Sequence, residues 1–145
     1  KIIPVGFEEK DYLTFVYEDG IEMSLEPVKG NFQAVKFWGK QGWIEIGRNH
    51  FAASDEKLNP SFDIGNGEGF WVRHHLDFID AIKENKEPLV PVEIGHSTCT
   101  VCTLGNIAHE LNDILIWDPD RQRFPASAKA TERLHYPYRE GYQKL

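Results

Sequence analysis

The sequence predicts an α+β fold, with an open, mainly antiparallel β-sheet and helices packed on one face. In the first third of the chain, alternating apolar residues are interrupted by turn signals, which is typical of β-hairpins. Two later stretches carry apolar residues at helical spacing. Strands come first and helices second, without regular β–α alternation, and this order favours antiparallel strands over a parallel, doubly wound sheet.

The first hairpin is predicted around Asp19-Gly20. Before and after this pair, apolar residues recur at every second position: Leu13, Phe15 and Tyr17, then Ile21, Met23 and Leu25. Asp-Gly supplies the two positive-φ positions of a type I′ turn, so the two runs are expected to pair as antiparallel strands.

A second hairpin is predicted from residues 34–38 and 43–46, joined by the turn 39–42. After it, residues 49–69 are rich in Ser, Asp, Asn, Pro and Gly, which predicts a long surface excursion. Arg48 and His50 lie where the last strand enters this loop. Because scaffolds present ligand contacts at such strand ends, these two residues are the candidate substrate-binding side chains, while the pattern itself favours an ordinary solvated loop.

Two helices are predicted, over residues 68–83 and 97–111. The first is expected to end at Asn85, since Pro88 prevents continuation. The second has small residues beside its apolar face, so another element is expected to approach it closely. Its Cys99 and Cys102 fall in an apolar pattern, which favours buried packing over a redox or metal role. A short strand at 114–117, a turn at 118–120 and a return strand at 123–124 complete the chain.

Composition limits the class of protein. The 145 residues are 41% apolar, enough for one folding domain spanning residues 1–145. The net charge of −7 disfavours nucleic acid as a partner, because a polyanion would be repelled. No apolar run approaches the roughly 20 residues of a membrane span. Two cysteines are too few for a disulfide scaffold and fit a reducing compartment slightly better than an oxidising one. The location is left open, with the cytoplasm favoured. The first residue is not Met, which predicts a piece of something longer.

No complete active site is recognisable from residue spacing. The glycine-rich segment 65–69 precedes a helix but departs from the dinucleotide-binding spacing, because its third glycine comes one residue early. His109 and Asp113, four residues apart, share a helix face and would need a third ligand to hold a metal in a hydrolase. The sequence therefore assigns no catalytic, cofactor-binding or metal-ligating residue.

Several segments together resemble one family. Residues 35–46, which include Gly39, Gly42 and Trp43, resemble the "G-t-x-G-W-I-E-V" hairpin in the C-terminal domain of the Gfo/Idh/MocA family of NAD(P)-dependent oxidoreductases. Further segments resemble that domain's helices, C-terminal strand and tail in the same order: 75–83 with Pro88, 92–108, 117–119 and 136–142. The agreement in order and spacing covers residues 33–145.

The resemblance implies a C-terminal domain that follows an N-terminal Rossmann domain in a longer parent. In the family, the Rossmann domain binds NAD or NADP and carries a Glu-Lys-Pro lysine, and the Asp and His of the substrate side come from a helix upstream of the first hairpin. No Glu-Lys-Pro occurs in this sequence, because Glu9-Lys10 is followed by Asp11 and Glu56-Lys57 is followed by Leu58. We therefore carry over no catalytic residue and expect no cofactor in this chain.

Two functions follow from these observations. In the first, the chain is the substrate-side and oligomerisation domain of an oxidoreductase acting on a sugar, polyol or related hydroxyl compound. Its partners are then its own Rossmann domain, further copies through the sheet face, and a sugar-like small molecule, and the chain alone is not expected to catalyse. In the second, it is a stand-alone, non-catalytic module that binds a small molecule or acts as a scaffold.

Overall fold

The computed structural model describes residues 1–27, 34–47, 50–60, 70–136, 138–139 and 141. In these ranges the chain forms two three-stranded antiparallel sheets, a 3₁₀ turn at Glu56–Leu58 and α-helices, so the predicted α+β class with antiparallel strands is confirmed. The strands are β1 (Ile2–Ile3), β2 (Leu13–Val16), β3 (Glu22–Leu25), β4 (Ala34–Gly39), β5 (Gly42–Gly47) and β6 (His50–Ala53). The helices are α1 (Phe70–Glu84), α2 (Val92–Leu111) and α3 (Ala128–Glu132).

The chain divides into two compact units. Unit 1 combines Lys1–Glu26 with Val92–Leu145, and unit 2 is Pro27–Pro91. Unit 1 contains sheet A, in the order β1–β2–β3, with α2 and α3, whereas unit 2 contains sheet B, in the order β4–β5–β6, with α1. Unit 2 is therefore inserted in sequence between the two parts of unit 1.

The first hairpin forms as predicted, but its turn differs. The Tyr17 N–H donates to Ile21 O at 2.9 Å, and the Gly20 N–H donates to Tyr17 O at 3.1 Å. Gly20 has a φ of 84°, whereas Asp19 is not at positive φ. The predicted type I′ turn is wrong: the loop has three residues and ends in a left-handed glycine. Asp19 stabilises this loop, because its Oδ1 accepts the Ile21 N–H at 3.1 Å.

The core of unit 1 lies between sheet A and α2. Its buried side chains come from both parts of the unit: Ile2, Phe15, Leu104, Ile107, Ala108, Leu115, Phe124 and Ala130. At Gly105, the helix passes so close to β2 that an added Cβ would lie 2.9 Å from Phe15 Cζ and 3.0 Å from Leu13 Cδ2. The expectation of a close approach along the small residues of this helix is confirmed at this position.

The two ends of unit 1 meet directly. The Ile2 N–H donates to Leu115 O at 2.8 Å, and the Leu115 N–H donates to Ile2 O at 3.0 Å. The region predicted as strand 114–117 thus forms one bridge to β1. The predicted turn after it is confirmed, because Asp118 and Arg123 pair through two backbone hydrogen bonds of 2.9 and 3.3 Å.

Helix α2 begins five residues before the predicted start at Ser97. The Ser97 hydroxyl donates to Glu93 O at 2.8 Å, and the Thr98 hydroxyl donates to Ile94 O at 2.8 Å. Both side chains therefore bond back along an existing helix instead of capping its first turn. The end of α1 agrees with the prediction, since Asn85 has a φ of 51° and closes the helix.

Residues 50–53 differ in structure from the prediction. They were predicted as part of the surface excursion, but they form β6, which pairs with β5 from Ile44 opposite Ala53 to Gly47 opposite His50. Two alanines give little β-signal in the sequence, so the strand depends on the hydrogen bonds that the edge of β5 offers. The glycine-rich segment 65–69 lies outside the described residues.

Candidate functional site

One face of sheet B carries aromatic and charged side chains from all three strands. Lys36 lies opposite Glu45, and Trp38 lies opposite Trp43, in the antiparallel register of β4 and β5. His50 lies two residues before Ala52, the partner of Glu45, and so lies on the same side of the sheet. We call this set of five residues the aromatic–polar face.

Contacts join all five residues. Lys36 Nζ lies 3.6 Å from the centre of the Trp43 ring and 4.8 Å from that of Trp38, and the two indole rings are 6.2 Å apart. Glu45 is placed between two cationic or basic groups, with Oε1 at 2.7 Å from His50 Nε2 and Oε2 at 3.9 Å from Lys36 Nζ. The face is therefore a connected array of indole, ammonium, carboxylate and imidazole groups.

The sequence prediction found one member of this array. His50, a predicted substrate-binding residue, lies in it, whereas Arg48 falls outside the described residues. The other four members, Lys36, Trp38, Trp43 and Glu45, were missed, although alternation already groups the two of β4 and the two of β5 on one side of their own strand. The missing information was the register, which decides which side chains of β4 and β5 become neighbours.

The opposite face of sheet B is apolar. Val35 and Phe37 of β4 and Ile46 of β5 all point to this side and are exposed. At the hairpin end, the sheet contributes to an open groove of about 340 Å³. The groove is lined by Phe37, Trp38, Gly39, Lys40, Gln41, Gly42, Ile44 and Leu58. Exposed apolar surface of this kind is available for contact with another protein surface or an apolar ligand.

Helix α1 adds more exposed apolar surface to unit 2. Along its length the exposed apolar side chains are Val72, Leu76, Phe78, Ile79 and Ile82. Among the helix side chains that the structure describes, Ala81 is the buried one. The predicted amphipathic helix is confirmed, but its apolar stripe is not enclosed by unit 2.

Other candidates from the sequence do not gather into a site. His109 and Asp113 lie at the end of α2, and no group of three or more His, Cys, Asp or Glu residues in the described ranges could hold a metal ion. The prediction that Cys99 and Cys102 are buried is wrong, because both are exposed. They lie on the side of α2 away from the buried Leu104 and Ala108, since 3.6 residues make one turn.

The described residues do not fit a dinucleotide. Every strand pairing among them is antiparallel, so they contain no parallel strand–turn–helix unit to cradle a pyrophosphate. The first turn of α2 carries Glu93, whose charge would repel a phosphate at that helix start. Within the same ranges, no helix is long and apolar enough to cross a membrane.

A comparison with protein-family models decides the family. The model described as "Oxidoreductase family, C-terminal alpha/beta domain", that of the Gfo/Idh/MocA oxidoreductases, matches residues 9–144. This chain belongs to that family. No curated protein and no solved structure matched the chain.

The family match covers both structural units. It begins before β2 and extends past α3, so it includes sheet B and the core of unit 1 except Ile2 of β1. The resemblance drawn from the hairpin 35–46 and the segments after it is thereby confirmed.

Proposed function

We propose that this chain is the substrate-side and self-association domain of an NAD(P)-dependent oxidoreductase acting on a sugar, polyol or related hydroxyl compound. The family match over residues 9–144 carries this proposal. In it, a Rossmann domain N-terminal to this chain holds NAD or NADP, and this chain alone catalyses no reaction. The chain folds as one domain of that longer protein, with two structural units.

There is a physical reason for binding the cofactor on one domain and the substrate on another. Hydride transfer needs the nicotinamide and the substrate carbon in near-attack geometry, so two surfaces must hold the two reactants against each other. The antiparallel sheets of the described ranges offer no dinucleotide cradle. This supports a role for the chain on the substrate side of the reaction.

The activity test uses the longer protein that contains this chain. We expect it to reduce NAD or NADP when a panel of sugars and polyols is supplied, with production of NADH or NADPH followed by absorbance. The isolated chain, assayed beside it, is expected to be inactive. An upstream sequence without a glycine-rich strand–turn–helix, or turnover by the isolated chain, would contradict the proposal.

Self-association is proposed to use the apolar face of sheet B. Val35, Phe37 and Ile46 expose apolar side chains together on one side, and burying such area against a second copy would be favourable by about 25 cal/mol per Å². The chain's negative charge opposes close approach of copies elsewhere on the surface, which favours contact through an uncharged patch.

Sedimentation velocity tests this interface. We expect the wild type to sediment as an oligomer and Phe37→Lys to shift the population toward monomer, because a charge would be buried in the contact. Tyr136→Lys is the matched control, since it places the same charge on an exposed aromatic position outside sheet B. Equal behaviour of the two variants would assign self-association to another surface.

The stand-alone module is the second candidate, supported by the connected array on the aromatic–polar face. It predicts saturable binding of a small molecule by the isolated chain in a species that never associates with a nucleotide-binding domain. Co-purification of the chain with a Rossmann domain would exclude it.

A further inference from the structure

The two faces of sheet B differ in chemistry, although they share the same strands. The apolar face contains Val35, Phe37 and Ile46, whereas the aromatic–polar face combines indole rings with hydrogen-bonding groups. Trp38 on this second face is 74% exposed, an unusual degree of exposure for the largest apolar side chain. The function proposed above uses the apolar face for self-association and leaves Trp38 without a role.

The Lys36 ammonium distinguishes the two indoles. It lies 3.6 Å from the centre of the Trp43 ring but 4.8 Å from that of Trp38. Trp43 is also half-buried, whereas Trp38 is exposed. Trp38 is therefore the ring that a ligand can reach, and Lys36 and Trp43 support it from the side.

Two charged side chains, those of Lys36 and Glu45, lie near the Trp38 ring on the same side of the sheet. Lys36 precedes Trp38 by two residues on β4, a separation of about 7 Å along a strand, and Glu45 lies directly opposite Lys36. Ala34, Gly47 and Ala52 lie on the same side of the sheet around Glu45. These three residues are small, so they add little bulk beside the carboxylate, whose side chain is 21% exposed.

This arrangement selects the chemistry of a ligand. A flat apolar ring favours a ligand with a C–H face, and the neighbouring carboxylate and ammonium favour a rim of hydroxyl groups that both donate and accept hydrogen bonds. Glu45 already contacts the Lys36 ammonium and the His50 imidazole, so a net charge on the ligand would gain little. A pyranose combines these properties in a neutral molecule.

We propose that the aromatic–polar face is a saccharide-binding platform, on which a neutral pyranose stacks against Trp38 and hydrogen-bonds with Glu45 and Lys36. It goes beyond the function proposed above, because binding here needs no nucleotide cofactor and involves no reaction. The platform gives the protein a second means of holding a sugar polymer or a sugar-bearing substrate. Its failure leaves the oxidoreductase proposal untouched, since that is tested by turnover in the longer protein.

The test is an NMR titration of the full chain, following the four indole N–H signals. The probes are methyl β-glucoside and cellotriose, with mannitol as an open-chain polyol that lacks a flat C–H face. We expect saturable shifts of the Trp38 and Trp43 signals with the two glycosides, weak affinity in the millimolar range, and little response to mannitol. The Trp117 signal is the internal reference, because its ring packs against Phe124 in unit 1 at 5.2 Å.

Variants assign the binding to the platform. Trp38→Ala is expected to weaken binding by about tenfold or more, and Trp38→Phe by less, because it keeps an aromatic ring. Glu45→Gln keeps the shape but changes the acceptor, and is also expected to weaken binding. Tyr136→Ala removes an exposed aromatic side chain elsewhere and is expected to bind like the wild type. Unchanged backbone amide signals of β5 and β6 show that sheet B of a variant is folded, since Trp117 belongs to the other unit.

Three results would overturn the proposal. The first is that the Trp38 indole signal does not shift when a glycoside is added. The second is that mannitol shifts this signal as much as the glycosides do. The third is that the signal shifts with protein concentration and not with glycoside concentration. The last result would assign the face to contact between copies of the chain.

Discussion

Leu104 and Leu76 both lie on helices with an apolar stripe, yet Leu104 is 4% exposed and Leu76 is 51% exposed. The difference extends to the two units. Unit 1 closes its core between sheet A and α2, whereas unit 2 leaves apolar side chains of β4, β5 and α1 at the surface. A similar local pattern therefore serves folding in one unit and is available for binding in the other.

The largest effect should come from removing the same side chain in each unit. Leu104→Ala is expected to lower the free energy of unfolding by about 2–5 kcal/mol, because it leaves a cavity in the closed core. Leu76→Ala is the matched substitution on α1 and is expected to change it by about 0.5 kcal/mol or less. Urea denaturation followed by circular dichroism measures both. If Leu76→Ala costs as much as Leu104→Ala, the contrast between the units is wrong.

Two glycines of α2 sharpen the comparison within one helix. Gly105→Ala is expected to destabilise the protein by about 1–3 kcal/mol, since the new methyl group would overlap Phe15 and Leu13. An added Cβ at Gly95 meets nothing within 4 Å, so Gly95→Ala is expected to stabilise the helix by up to about 1 kcal/mol. Thermal unfolding of the two variants measures these changes in stability, which are expected to have opposite signs. A stabilising Gly105→Ala would show that α2 is not held tightly against β2.

The smallest effect concerns the turn that follows Leu115 in unit 1. Asp118 Oδ1 accepts the Arg121 and Asp120 backbone N–H groups at 3.0 and 3.1 Å. The bond from the Arg121 N–H and the nearby guanidinium lower the pKa of Asp118. A lowered folded-state pKa means that the ionised carboxylate stabilises the fold above its unfolded-state value, about 4, and that this stability is lost as the pH falls through the folded-state pKa.

Asp118→Asn tests that contribution. We expect wild type and variant to differ in unfolding free energy at neutral pH and to converge as the pH falls below about 4. Asp120→Asn is the control, because it removes the same charge and keeps the Asp118 acceptor. A pH dependence equal in the two variants would show that net charge, and not the turn, causes the effect.

The predictions from the sequence were most accurate where the signal was local. Both hairpins and both long helices were found, because alternation over a few residues and helical spacing over a dozen are properties of short segments. The turn at Asp19-Gly20 was assigned to the wrong type, because the Asp-Gly pair itself does not distinguish a two-residue loop from a three-residue loop. The start of α2 was placed late, because Ser97 resembles a cap but bonds back to Glu93.

Of the two candidate residues chosen from the sequence, His50 lies on the aromatic–polar face, as a member of β6. It was chosen because it borders a polar stretch, and its role in substrate binding stays a prediction. Its contact with Glu45 crosses two strands, and the contacts of Lys36 with Trp38 and Trp43 involve β4 and β5. Such contacts depend on strand register, which one sequence without its fold does not specify.

The sequence by itself determined the class of fold, the positions of the hairpins and helices, and the family resemblance, because each depends on residues close together in the chain or on their order. Only the tertiary structure decided that Ile2 pairs with Leu115, that Cys99 and Cys102 face outward, and that the apolar residues of unit 2 stay exposed. The physical reason is that burial is a property of the neighbours a side chain meets. Those neighbours come from segments far apart in sequence.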